Sequence, residues 1–440
     1  MLAQTFSSLA DNALFIVAIA LIMELQGPEW LTPVMKWFFA FAYVILAAFV
    51  GAFADSIPKG RVMFITNSIK LIGCLMMFAF PLLGFSNLTN AYVVCLAYGI
   101  VGIGAATYSP AKYGIVTELL PPKDLVKGNS WIEGTTVISI IVGVMLGGFL
   151  TRDSVANALM SIKLIDFFAA SPAEAGIVVV GFIYLLAALC NLMIPDTRFK
   201  YPRQERNPIR LIGVFTGYVR ILWKDPVGQI SLAVTTLFWG AGATLQLVVL
   251  KWGEEHLGYT LEGSAMLMGV AALGTVIGAV AASRVRLEQT LSVLPVGVLM
   301  GLSVLLMNFV QPGWQVIALL IWVGALSGYF VVPLNALLQH RGHVLLSAGH
   351  SIAVQNFNEQ LNILLMVGAY AVMVHLNYSI YTIIYIFGAL VVVMMGLVML
   401  LAKHNQKVYP QVFSEIGSTA HGQQQHIITV SYTHLTLPTT

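Results

Sequence analysis

Asp11 stands near the middle of an uninterrupted apolar run with Asn12 beside it, and Glu359 stands within another such run. A carboxylate at that depth in hydrocarbon costs roughly 2.5–3.5 kcal/mol on insertion scales, so it must face a cavity or a partner. Gln355, Asn358, Glu359 and Asn362 recur at spacings of three and four, which puts them on one helix face. A polar stripe on a membrane helix does not face lipid; it lines water, a ligand or another helix. Two cations join this set. Lys70 falls inside an apolar run, and Lys112 follows Ser109-Pro110-Ala111 near the end of one, where the proline predicts a local break. Either cation can meet a phosphate, or can snorkel to the surface along its own aliphatic stem. Glu133 lies near the start of a run, where a carboxylate either gates or simply reaches water. The chemistry open to these groups is ligand binding or coupling to a proton or sodium ion.

The elements that must position them are membrane helices. The chain has 440 residues, of which 58% are hydrophobic and only 9% charged. A soluble domain carries about 25% charged residues. Apolar runs near 2–23, 34–54, 62–84, 91–113, 131–150, 175–194, 229–250, 264–283, 291–310, 315–338, 351–375 and 379–402 are each long enough to cross a bilayer. Counting loops alternately from the N-terminus, 17 of the 22 Lys and Arg residues fall on the N-terminal side. Lys36, Arg152, Lys163 and Lys251 fall on the other side, and Lys70 lies within a span. That bias supports twelve spans with both termini in the cytoplasm. The three cysteines, Cys74, Cys95 and Cys190, sit inside apolar runs as small core residues. No cofactor, metal site or nucleic-acid partner is expected, and no H-E-x-x-H, G-x-S-x-G or phosphate loop speaks for an enzyme.

A polar, basic, proline-rich stretch divides the chain. The expected organisation is a six-helix half over 1–194, a cytoplasmic loop over 195–228, a second six-helix half over 229–403 and a polar tail over 404–440. The final ten residues look non-native, and the natural start is expected upstream, because the chain begins almost inside its first run. The halves resemble each other weakly: Gly102, Gly104 and Pro110 precede Gly128-Asn129-Ser130, as Gly324, Gly328 and Pro333 precede Gly349-His350-Ser351. Two such halves are the architecture of major-facilitator transporters. Gly51-Ala52-Phe53-Ala54-Asp55-Ser56-Ile57-Pro58-Lys59-Gly60-Arg61 resembles that group's loop motif, in which Asp55, Lys59 and Arg61 would act as a gate between the halves. Its second-half counterpart keeps Arg284 and Arg286 without the acid. The glycine pairs 143/147, 274/278 and 324/328 are expected to be packing seams.

Longer blocks resemble one branch of the group, the bacterial lysophospholipid transporters. They are Asp11-Asn12-Ala13-Leu14, Tyr108-Ser109-Pro110-Ala111-Lys112-Tyr113-Gly114-Ile115 and Leu237-Phe238-Trp239-Gly240-Ala241-Gly242. Phe330-Val331-Val332-Pro333-Leu334-Asn335-Ala336-Leu337-Leu338-Gln339 and Ile352-Ala353-Val354-Gln355-Asn356 complete the set. The resemblance implies a flippase of the bacterial inner membrane. It would carry lysophospholipids such as lysophosphatidylethanolamine from the outer to the inner leaflet for re-acylation by a cytoplasmic-side acyltransferase. It also implies that Asp11 and Glu359 meet substrate or gate it. Members of that family carry an arginine in span seven where this chain has Gln246. A neutral amide there hydrogen-bonds a headgroup but forms no salt bridge. The competing expectations are a proton-coupled exporter of amphipathic drugs, with Asp11 and Glu359 as proton sites, and a membrane scaffold or lipid-modifying enzyme.

Overall fold

Without water in the bilayer, backbone N–H and C=O groups must pair within each crossing segment, and helices do that. The computed structural model describes residues 1–119, 125–282, 284–285, 287–346 and 348–416; side chains at 80, 113, 116, 117, 125–131, 133, 134, 287, 339, 343, 348 and 349 lie outside that description. All regular elements among the described residues are helical.

The first half comprises α1 (Leu2–Glu24), α2 (Leu31–Leu46), α3 (Val50–Ser56), α4 (Lys59–Ala79), α5 (Asn87–Leu119), α6 (Leu125–Leu150), α7 (Asp153–Met160), α8 (Lys163–Phe168) and α9 (Pro172–Leu192). After α10 (Pro208–Lys224), the second half comprises α11 (Pro226–Glu255), α12 (Leu261–Ala282), α13 (Leu294–Leu305), α14 (Trp314–Leu345), α15 (Ala348–His375) and α16 (Ile380–Val408). Ten segments are long and apolar enough to cross a membrane alone, the one through α13 running over Glu288–Phe309, and twelve spans result if each bent pair counts as one. The bends are 68° between α2 and α3 and 74° between α6 and α7. The protein is a multi-pass membrane protein with the twelve-helix, two-half architecture.

The symmetry of the halves lies in their packing. In the first half α1 packs on α6 and α9, α2 on α5, and α4 on α9; in the second, α11 packs on α15 and α16, α12 on α14, and α13 on α16. The halves meet through two matching pairs, α2 with α15 and α12 with α6. One pseudo-twofold operation exchanges all of these.

Two local expectations are corrected. The helix does not break at Pro110: α5 runs through it, as α14 runs through Pro333. Thr107 donates to the carbonyls of Ile103 (2.8 Å) and Gly104 (3.2 Å), one turn before the proline. Membrane helices keep such prolines where side chains and neighbours support the backbone. The central stretch is also not only a polar loop. Asn207 caps α10, with Pro208 at its first position. Leu222 of α10 is buried in a cluster with Leu232, Leu338 and Val354, while Ile209, Ile212 and Val214 stay exposed.

The second-half seam depends on glycine. A Cβ on Gly274 would fall 2.5 Å from the Ile321 carbonyl oxygen, and one on Gly278 would collide with the carbonyl of Ala325. From the opposite side, Gly324 and Gly328 meet the carbonyls of Ala271 and Thr275. Backbone touches backbone along α12 and α14, and no side-chain rearrangement can relieve a methyl there. In the first half Gly143 and Gly147 seat α6 against α1 in the same way. Gly278→Ala should therefore cost about 1–3 kcal/mol, as overpacking does, and lower the Tm of detergent-purified protein. Gly396→Ala, with nothing within 4 Å of the added carbon, should leave Tm unchanged.

Candidate functional site

The ends of the bundle are called terminal, where α1 begins, and distal, where α1 ends. Asp11 lies nine residues into α1, about 14 Å from its start at 1.5 Å per residue. There it accepts hydrogen bonds from Lys70 Nζ of α4 at 2.9 Å and from the Tyr184 hydroxyl of α9 at 2.5 Å. Lys70 also donates to Ser7 Oγ at 2.8 Å, and Ser7 donates to Asn67 Oδ1 at 2.6 Å. The Tyr108 ring lies 5.0 Å from the ammonium. Lys70 is only 1% exposed, so it does not snorkel to the surface; its charge is spent on Asp11. Room for its stem comes from Gly104, where a Cβ would fall 2.6 Å from Lys70 Cγ. Three spans thus converge on one ion pair, whose Lys70 is buried while the Asp11 side chain keeps 20% exposure.

Asn12, next in sequence, turns away and donates to the carbonyl of Ser8 in its own helix at 2.8 Å. Lys112 sits partly buried on α5. Glu133 falls on α6, and its side chain lies outside the described residues.

The polar set on α15 does not act as one face. Gln355 donates to Glu359 Oε1 at 2.8 Å and to Asn335 Oδ1 of α14 at 2.6 Å. Asn358 instead accepts from Trp223 Nε1 of α10 at 2.9 Å, and Asn362 donates to the Thr236 carbonyl of α11 at 2.9 Å. The spacing places the four residues close together, but each amide spends its bonds on a different neighbouring helix. Glu359 is 6% exposed.

Gln246 joins the halves. Its Oε1 accepts a hydrogen bond from Lys36 Nζ of α2. Lys36 is therefore not a loop residue: it lies inside α2, with its ammonium 5.0 Å from the Phe15 ring.

The expected gate loop is organised differently from its sequence reading. Asp55 pairs with Lys59 at 2.5 Å, within its own half, and Lys59 also donates to the Ala54 carbonyl at 2.8 Å. The Lys59 ammonium lies 4.3 Å from the Tyr201 ring, and Thr197 and Tyr201 donate to Glu118 at 2.8 and 2.7 Å. With the exposed Arg61 these residues line a recess of about 610 Å³ that the segment after α9 crosses. Every residue lining that recess belongs to the first half or this segment, so the Asp55 pair does not bridge the halves.

The ion pairs that bridge the halves, among the described residues, lie at the distal end. Arg152 binds Glu262 through two nitrogens, at 2.6–3.2 Å, and Lys251 meets Glu29 at 3.2 Å. The Trp30 ring meets His375 edge-on nearby, and Trp37 packs on Gly368. These contacts join the halves at the distal end, beside a recess lined by Glu29, Lys251, Glu254 and Tyr370 from both halves. Sequence reading missed Tyr184, Lys36, Trp223 and these pairs. A hydroxyl in an apolar span carries no signal, but Lys36 stands between Met35 and Trp37-Phe38-Phe39, and that apolar flank marks it as intramembrane.

The sequence model of the Major Facilitator Superfamily matches residues 1–361. Lysophospholipid transporter LplT of Pectobacterium carotovorum subsp. carotovorum (strain PC1) is 38% identical over 383 residues, 86% of each chain. The protein of the same name from Yersinia enterocolitica serotype O:8 / biotype 1B is 38% identical over 377 residues, 85% of this chain and 86% of that one. Among solved structures, the bacterial homolog to the human lysosomal transporter Spinster, inward-facing and occupied, matches with a TM-score of 0.66 at 16% identity, covering 93% of this chain and 96% of that one. The nucleoside transporter NupG matches with a TM-score of 0.66 at 13% identity over 90% and 97%. The solved structures share the fold; the curated relatives are named transporters, so the chain is no enzyme, and it belongs to the Major Facilitator Superfamily and, within it, to the family of lysophospholipid transporters.

Proposed function

We propose that this protein flips lysophospholipids, lysophosphatidylethanolamine among them, from the outer to the inner leaflet of a bacterial inner membrane by alternating access. A cytoplasmic-side acyltransferase then re-acylates the product. The observation that carries the reading is the buried Asp11–Lys70 pair, in a chain 38% identical to named lysophospholipid transporters. A zwitterionic headgroup presents one cation and one anion. It can split the pair, its ammonium taking Asp11 and its phosphate taking Lys70. Four charges then interlock, and no net charge crosses about 30 Å of hydrocarbon unpaired. The single acyl chain stays among apolar side chains or in lipid.

Asn12, Lys112, Gln246, Gln355, Asn358 and Glu359 complete the polar path, with Glu359 the second site for an ammonium. The Lys and Arg bias supports cytoplasmic termini. On that orientation the distal end faces outward, and Arg152–Glu262 and Lys251–Glu29 are the bonds to break for entry from the outer leaflet. Asp55, Lys59 and Arg61, with Glu133, act at the cytoplasmic side. Their hold on the segment after α9 supports a latch that sets how far the halves part. The moving units are 1–194 and 229–403, joined by 195–228, with 404–440 as a tail.

In spheroplasts, labelled lysophosphatidylethanolamine should enter at a rate that follows the level of this protein, while a doubly acylated lipid should not. Equal movement of both lipids, or of neither, overturns the reading. Asp11→Asn should abolish that uptake. It should also destabilise the protein by about 3 kcal/mol or more, because Lys70 is left buried and unpaired. Lys70→Met added to Asp11→Asn should return the Tm of purified protein toward wild type without returning uptake. Recovery of both would make the pair a structural strut only.

A further inference from the structure

Lys36 is an intramembrane cation of a different kind from Lys70. It sits five residues into α2, about 8 Å along the helix from its distal start. Gln246 sits nine residues from the distal end of α11, about 14 Å along that helix. Their contact is thus well inside the bundle. Lys70 is neutralised by Asp11, whereas no carboxylate lies within 4 Å of Lys36 among the described residues. Its ammonium has an amide oxygen on the opposite half and the face of Phe15. Both are weak substitutes for an anion, so the ammonium group at the junction of the halves has no carboxylate beside it among the described residues. A packing role would not require this: a methionine would fill the same space without the desolvation cost of a charge.

We infer that Lys36 and Gln246 form a phosphate clasp, a binding site for the phosphodiester of an amphiphile as it passes between the halves. The Lys36 ammonium supplies charge and up to three donors. Gln246 gives up its Oε1 bond to Lys36 and turns its NH₂ to the same phosphate. The two residues come from α2 and α11, on opposite halves, so the clasp assembles only while the halves are together at this level. Ligand binding there and closure of the distal end are therefore linked. Trp37, adjacent in sequence to Lys36 and packed on Gly368 of α15, sits at the same junction. This inference rests on the lysolipid reading for its ligand but on the Lys36–Gln246 contact for its site.

The test measures binding and transport separately. Purified protein in nanodiscs is titrated with lysophosphatidylethanolamine and with a monoacylglycerol of the same chain length, and tryptophan fluorescence is followed. Wild type should favour the phosphate-bearing lipid, and Lys36→Met should weaken binding of that lipid by about tenfold, the scale of one charge-assisted hydrogen bond. Monoacylglycerol binding should not change. The exchange Lys36→Gln with Gln246→Lys moves the charge across the junction and should recover the preference. That arm guards against a variant that merely misfolds. Undiminished preference in Lys36→Met, or equal loss for both lipids with no recovery in the exchange, overturns the clasp. If wild type binds with this pattern but moves no lysolipid in proteoliposomes, flipping is overturned and the site stands. If wild type moves lysolipid and Lys36→Met does so with the same affinity, the site is overturned and flipping stands.

Discussion

A charge placed inside hydrocarbon must find a partner in the protein or in a ligand, and the first half is arranged around one such pair. The Asp11–Lys70 pair ties α1 to α4, and the Tyr184 hydroxyl adds α9, so three of the six spans of the first half are held by one polar knot. In this state Lys70 is covered by Tyr108, Tyr184 and the close approach at Gly104. The second half has its own polar contacts, Arg341 on Asp225 and Gln355 on Glu359 and Asn335. There α12 and α14 meet backbone to backbone through four glycines, as α6 meets α1 through Gly143 and Gly147 in the first half.

Two halves can part only where water can take over the contacts between them. The bridging contacts are of that kind. Arg152, half-exposed at 52%, pairs with Glu262 where water can replace the partner. Glu29, at 79% exposure, gives Lys251 a bond worth little. Deeper in, the halves touch through an ammonium and an amide at Lys36–Gln246, and through the small Gly368 against Trp37. Water reaches the bridging pairs at the distal end, whereas Lys70 of the Asp11 pair and the glycine seams within the halves are buried.

How much of this is legible in sequence varies with the range of the interaction. Span number and the division into halves follow from hydropathy and loop charge, which are local sums. Asp11 and Glu359 stand out as intramembrane carboxylates because their cost is also local. Partners are not local. Nothing near Tyr184 says that its hydroxyl reaches Asp11, 173 positions away. The α15 residues share a face by their spacing, yet neighbours from α10, α11 and α14 divide them, since a shared face of a helix can still touch three others. Lys36 was misplaced because counting loop charges assigns a lysine near a span end to the loop, while the flanking Met35 and Trp37-Phe38-Phe39 carry it into the bundle. Nor does the sequence near Gln246 say that a lysine of α2, 210 positions away, meets its side chain.

The linker has a place in the same balance. Its first part is held to the first half, where Thr197 and Tyr201 bond Glu118 and the Tyr201 ring covers Lys59. Its last part is held to the second half, where Trp223 bonds Asn358 and Asp225, which also caps α11, takes a two-point grip from Arg341 at 2.7 and 2.8 Å. Between these anchors lies α10, whose far face carries exposed Ile209, Ile212 and Val214. Asn358 stands next to Glu359 on α15 and Lys59 stands opposite Asp55, so each anchor ends on a residue beside a charged group of its half. The linker thereby keeps a built contact with each half beside its polar groups, which a loop without these side-chain bonds would not make.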